Sequence, residues 1–211
     1  HEISSHGTNH IRPITIPLSK FYNDLDRSKK TLEDITGGSI EGYRAPCFSI
    51  DRERIDQLQI AGYSYDSSRI EFGVHPLYKT INMKGYDLVH PNIYKNNNFF
   101  EFQVTTNVVF GKNIPISGGG YLRLLPWYVS KNLIKPYLNQ GNLYVLYIHP
   151  FELSTKSNPP LPPTTKWHNK LRFKLGRKSV AKKLSNLINL LKDSGYSFTT
   201  FSSLRKELLK N

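Results

Sequence analysis

The first ten residues, HEISSHGTNH, hold three histidines and one glutamate. Imidazoles and carboxylates are the side chains that hold divalent metals in hydrolytic sites, and spacing decides which of them can act together. A zinc-protease helix needs two histidines at i and i+4, with Glu directly after the first. His1-Glu2 is instead followed by His6. Five helical steps are about 500° of rotation, so His1 and His6 would point about 140° apart. His6 and His10 stand at i and i+4, and one helical turn would bring both rings to one face. Gly7 and Asn9 between them also suit a turn leading out of a strand. The pair supplies two ligands where a zinc site needs three or more, so by itself it also reads as two solvated loop histidines.

Other residues carry chemistry further along. Arg44 lies in GYRAPCF, between an expected strand and Pro46, where a guanidinium could orient a carboxylate through a bidentate pair. His149 in YIHP ends an apolar run, a placement suited to a general acid. Asp66 in GYSYDSS could pair with a histidine or line a polar pocket. Taken singly, Arg44 also reads as an ion-pair partner, His149 as a satisfied core histidine and Asp66 as a turn cap. A metal, a general acid and a carboxylate-orienting arginine together make a hydrolytic set. Cys47 has no paired base at fixed spacing and is not read as a nucleophile.

These residues need elements to position them. Leu18, Phe21, Leu25, Leu32 and Ile35 fall at helical spacing, with Ser19 near the start and Gly37-Gly38 as a stop. A short strand is expected over SIEGYRAP. A second helix follows over SIDRERIDQLQIAG, with Ser49 as its N-cap. YSYDSS reads as a strand, and residues 71–100, with Pro76 and Pro91, read as loops. FFEFQVTTNVVF is β-rich. GYLRLLPWYVSKNLIKPYLNQG reads as helices interrupted at Pro126 and Pro136. LYVLYIHP has the nearly unbroken apolar character of a strand buried on both faces. A Pro-rich loop, SNPPLPPTT, precedes the amphipathic helix SVAKKLSNLINLLKDSG, then a strand YSFTTF and a short helix SLRKELL. The alternation predicts an α/β fold with a mainly parallel sheet or barrel. In such folds the chemistry gathers at the carboxyl ends of strands, where His6, His10, Arg44, Asp66 and His149 all stand.

Composition sets outer limits. At 211 residues, 38% hydrophobic and 12% aromatic, the chain can bury a sizeable core. No run approaches a membrane span, and no secretion signal is visible. The single cysteine rules out an internal disulfide. Net charge is +13, and no acidic residue occurs from Leu153 to Lys192. Such a stretch could meet nucleic acid, an anionic membrane surface or an acidic polymer, or be a solvated basic face. No nucleic-acid motif accompanies it, so no nucleic-acid partner is expected.

The ordered motifs resemble the NodB-homology polysaccharide deacetylases, the metal-dependent carbohydrate esterases of family four, and most of all their exopolysaccharide-biosynthesis subgroup. HEISSHGTNH resembles the family's histidine motif and YRAPCF its Arg-x-Pro motif. GYSYDSS and ISGGGYLRLLPW are similar to subgroup segments, and YIHPFEL resembles the last motif. The resemblance implies a distorted (β/α) barrel of fewer than eight strands, incomplete at its N-terminus. The whole chain would be one partial catalytic domain, with 71–125 as a loop and β insert and 150–211 as a family-specific C-terminal segment. It implies removal of N-acetyl groups, less often O-acetyl, from a polysaccharide that could be acidic.

By the resemblance, His6 and His10 hold a divalent metal, most often zinc, and Arg44 holds the catalytic base. His149 protonates the leaving amine, with Asp66 as its tuner. The backbone N–H of Cys47, after Pro46, donates to the oxyanion, and Pro46, Tyr65 and Tyr121 line the substrate path. The family's first motif, with a base Asp and a metal-binding Asp, lies upstream of its histidine motif, and no Asp precedes His6. The expectation is therefore an N-terminally truncated piece, inactive alone and binding metal weakly through two histidines. Asp24, Asp26 and Asp34, on or beside the first helix, do not match that motif. The alternative is a non-catalytic carbohydrate-binding protein on the same fold, with Tyr43, Tyr63, Tyr65, Tyr121 and Trp127 as stacking faces. The expected location is the bacterial cytoplasm or a membrane-associated face, with the periplasm also open.

Overall fold

A computed structural model describes residues 1–72, 81–154, 156 and 160–210, apart from the side chains of His168 and Arg172. The loop expected around Pro76 and residues 157–159 of the Pro-rich loop lie outside the described residues. In chain order the elements are α1 (Leu18–Thr36), β1 (Gly42–Tyr43), α2 (Arg52–Ile60), β2 (Tyr65–Asp66), β3 (Asp87–His90), β4 (Ile93–Asn96) and β5 (Phe99–Phe102). There follow β6 (Thr106–Val109), β7 (Lys112–Pro115), α3 (Gly119–Leu124), α4 (Trp127–Leu138), α5 (Pro150–Leu153), α6 (Trp167–Lys174), α7 (Val180–Asp193) and α8 (Phe201–Leu208). Two compact units share them: residues 1–106 with 198–211, and residues 107–197. The 71–125 segment, expected as an insert, contributes to both.

In the first unit the sheet runs β1-β2-β5-β4-β3. β1, β2 and β5 are parallel, with Gly42 opposite Tyr65 and Tyr65 opposite Phe100. Ser5 bridges Tyr43 in parallel at the free edge of β1, so the segment before His6 runs as an extended chain into the sheet. The other half of the sheet is antiparallel, and no closed sheet forms among the described residues. The physical reason is local. β3, β4 and β5 follow one another through tight turns at Asn92 and Asn97, both left-handed, and so short a link can only reverse direction. Residues 81–100, expected as loops, thus hold most of a three-stranded meander.

The helices follow their apolar periodicity. α1 buries Phe21 and Leu25 and stops at left-handed Gly37, whose N–H donates to Glu33 O at 2.8 Å. α2 is capped by Asp51 rather than Ser49: the Asp51 carboxylate accepts the Arg54 N–H at 3.1 Å. Both helices bury their apolar sides with Tyr43, Ile50, Tyr63 and Phe99 in one core.

The second unit pairs β6 with β7 and packs α4 and α7 over Ile116, Ile134, Leu138, Leu187 and Leu191. Pro126 separates α3 from α4 as expected, whereas Pro136 sits inside the last turn of α4 without ending it. Two expected strands do not form among the described residues. LYVLYIHP is extended but among the described residues bridges only once, Tyr147 to Gly118, and its Tyr144 and Leu146 pack against the helices of the second unit. YSFTTF is extended without strand partners among the described residues; its Tyr196 hydroxyl caps Leu138 O and Asn142 O instead.

Candidate active site

The histidine loop is not helical. Residues 6–10 form a bend in which Gly7 (φ 77°) and His10 (φ 54°) are both left-handed. This compact turn still brings the rings of His6 and His10 to a centroid distance of 5.0 Å, inclined at 66°. Gly7 is required twice over. Its φ disfavours any side chain, and a Cβ there would stand 2.9 Å from Asp24 Oδ2. Asp24, on α1, accepts the Thr8 N–H with both carboxylate oxygens at 3.2 Å. Beyond His10, buried Arg54 donates to Pro13 O at 2.8 Å and Ile16 O at 2.7 Å, so the loop is held at both ends.

His6 Nδ1 lies 2.6 Å from Arg44 O. A carbonyl only accepts, so Nδ1 carries the proton and Nε2 carries the lone pair, the tautomer a metal ligand needs. The donor set therefore fits a divalent metal as two ligands. Among the described residues no group of three His, Cys, Asp or Glu side chains comes together to complete one.

Arg44 leaves β1 with its guanidinium fixed: Nε donates to Ser67 O at 2.7 Å and Nη2 to Ser67 Oγ at 2.6 Å. Ala45 N–H donates to Ser68 Oγ at 2.7 Å. The two serines of YDSS thereby set the position of the RAPCF loop. That loop is strained, with Cys47 at φ 56° and Phe48 at φ 54°, a conformation costly for non-glycine residues and concentrated at functional sites. Pro46 is buried, Cys47 is exposed, and among the described residues no acceptor takes the Cys47 N–H.

Asp66 is fully buried. Its carboxylate accepts Ser68 Oγ–H at 2.7 Å and Ser68 N–H at 3.2 Å. Glu101, its neighbour across β2 and β5, is also 0% exposed and accepts the N–H groups of Ser68 and Arg69 at 3.1 and 2.8 Å. Burial, then the charge of Asp66, raises the Glu101 pKa well above the carboxyl range, so Glu101 holds the proton of the pair. Asp66 is an interior support for the Arg44 loop, through Ser68.

Tyr65 meets the cleft through its hydroxyl and not through its ring. Its ring is buried against Phe102 and Phe201, so it offers no face to a sugar. Its hydroxyl donates to Glu2 Oε1 at 2.6 Å and meets Ser4 Oγ at 2.7 Å on the floor of a cleft of about 290 Å³. Arg44, Ser67 and Thr200 also line that cleft. Tyr43 and Tyr63 are buried as well and cannot stack on a ligand.

Tyr121 and His149 belong to the second unit. Tyr121 borders a gap of only about 10 Å³ among Ile116, Leu125 and Ile134, too small for a sugar. His149 precedes α5 with its ring 60% exposed, and Glu152, 2% exposed, lies 3.5 Å from Nδ1. The same carboxylate accepts the His149 N–H at 3.0 Å, while Arg123 Nε stands 3.9 Å from its other oxygen. Burial pushes Glu152 up, but the hydrogen bonds from His149 and the charges of His149 and Arg123 outweigh it, and its pKa is lowered. A Cβ on Gly119 would stand 2.0 Å from Glu152 Oε2, which explains a glycine in the GGGYLR segment. Glu152 and Asp24 are the residues sequence reasoning passed over. Glu152 had a signal, an acid three residues after a helix-opening position; Asp24 had none.

Residues 1–65 match the family model described as polysaccharide deacetylase, and residues 74–205 match one described as a domain of unknown function, DUF3473. The chain belongs to the DUF3473 family, and its first 65 residues are similar to polysaccharide deacetylases. A peptidoglycan deacetylase of Helicobacter pylori is 30% identical over 78 residues, 37% of this chain and 27% of that protein. The crystal structure of a protein assigned as a polysaccharide deacetylase from Mycobacterium smegmatis superposes with a TM-score of 0.51 at 17% identity. It covers 89% of this chain, which spans 56% of its length, and at that identity it speaks for the fold alone.

Proposed function

We propose that this chain is part of a metal-dependent hydrolase that removes N-acetyl groups from a polysaccharide, in bacterial exopolysaccharide biosynthesis, on a distorted (β/α) barrel. The observation that carries the reading is the convergence of His6 and His10, with His6 held in the ligand tautomer by the backbone of the Arg44 loop. Both rings would hold the metal, most often zinc, with further ligands from outside the described residues. When bound, such an ion lowers the pKa of a water and polarises the acetyl carbonyl, which an unreactive amide requires.

The chain's own groups bind, orient and donate. The Cys47 N–H, raised on a left-handed turn, donates to the amide oxygen as charge develops there. Arg44, fixed by Ser67, orients the carboxylate base. His149 delivers a proton to the leaving amine, with Glu152 as its positioning residue. The test is acetate release from N-acetylglucosamine oligomers by the complete protein, with and without chelator. Chelator-sensitive release supports the reading; binding without release supports a carbohydrate-binding protein instead.

A further inference from the structure

In the second unit, α6 is anchored through Phe173. Phe173 stacks on Phe151 at 4.7 Å and 17°, and Arg123 Nη1 donates to Phe173 O at 2.7 Å. At about 100° per residue, Lys170, Trp167, Leu171 and Lys174 share an arc of about 100° centred well away from Phe173. All four are exposed, Trp167 by 75% and Leu171 by 48%, and Leu175 continues the apolar row beyond the helix. Lys166, Lys178 and Lys182 are also exposed, and none of the five lysines pairs with a carboxylate among the described residues. The sequence supplies no acid from Leu153 to Lys192 to neutralise them.

We propose that this face of α6 docks the protein on an anionic lipid surface. Trp167, Leu171 and Leu175 enter the headgroup boundary and Lys166, Lys170 and Lys174 meet the lipid phosphates and carboxylates. Two features select this partner. A row of lysines alone would serve any polyanion, but Leu171 and Leu175 have nothing to gain from a hydrated acidic polysaccharide, whereas a bilayer buries them. An exposed tryptophan flanked by lysines matches the boundary between headgroups and acyl chains. Docking by this face is peripheral; no helix among the described residues is long and apolar enough to cross a membrane. The inference stands on the second unit alone and does not depend on the proposed reaction.

The experiment is co-sedimentation of the chain with vesicles of phosphatidylcholine, with and without phosphatidylserine, alongside a soluble polyuronate. The expected result is uptake on phosphatidylserine vesicles that salt weakens, with a blue shift of tryptophan emission that Trp167→Phe removes and Trp127→Phe does not. Replacing Lys166, Lys170 and Lys174 with Gln weakens uptake about 100-fold, from about fivefold per lysine. These side chains are exposed, and circular dichroism verifies that the variants fold. Equal uptake by the triple variant, no uptake on anionic vesicles, or binding of polyuronate without vesicles would each overturn the proposal.

Discussion

His6 Nδ1 donates to the carbonyl oxygen of Arg44 across 2.6 Å, so a side chain of the histidine loop is set by the backbone of the next motif. That backbone is in turn set by YDSS through Arg44 and Ser67. Three motifs distant in sequence therefore share one mechanical chain, and loosening any link should disturb the others.

Arg44→Lys tests the last link. A lysine can replace one of the two donations to Ser67 but not the fork. Deacetylation by the complete protein should fall on the order of 100-fold, the scale of a small misplacement of catalytic groups. Unfolding midpoints should change little, since Arg44 is half-buried at the cleft. An undiminished rate would show that the loop does not depend on the fork.

Gly7→Ala tests the turn. The left-handed backbone costs a non-glycine residue about 1–2 kcal/mol. The Cβ would also displace Asp24 from Thr8. Urea unfolding should show that loss, and cobalt binding, followed by its absorption, should weaken in parallel. Unchanged cobalt affinity would mean that the turn does not set the two rings.

Glu101→Gln tests the buried acid pair. The folded state holds the Glu101 proton more tightly than the unfolded chain does. Stability is therefore fully present below the ordinary carboxyl range and declines as pH rises through it towards the raised folded value, by at most about 1.4 kcal/mol per pH unit. Glutamine keeps the acceptor for Ser68 and Arg69 and has no proton to lose. Thermal unfolding of the variant should lack that decline, and a slope identical to the parent's would refute the assignment.

Glu152→Ala tests the support of His149. The change leaves Arg123 and the His149 N–H without their carboxylate, a loss of about 1–3 kcal/mol readable in urea unfolding. In the complete protein kcat should fall while KM stays near its parent value. A rise in KM alone would place Glu152 in substrate binding.

Much of this was legible in the residues. α1 and α7 carry uninterrupted helical periods, and Arg44 follows a strand as expected, whereas His149 opens a helix instead of ending a strand. The meander was not legible, because Asn92 and Asn97 turn the chain within strands too short to show alternation. The burial of Tyr65 and Asp66 was not legible either, because a two-residue strand inside a sheet is too short to show a pattern. The LYVLYIHP run misled for a related reason: apolarity records burial, and helices bury an extended chain as well as strands do. The contact of Asp24 with Thr8 joins residues that no local pattern links.

The central claim rests on the two imidazoles. Acetate release from N-acetylglucosamine oligomers by the complete protein should be lost in His6→Ala and in His10→Ala and restored by neither zinc nor cobalt, while the parent recovers activity when metal is returned after chelation. Release that survives both substitutions would contradict the account.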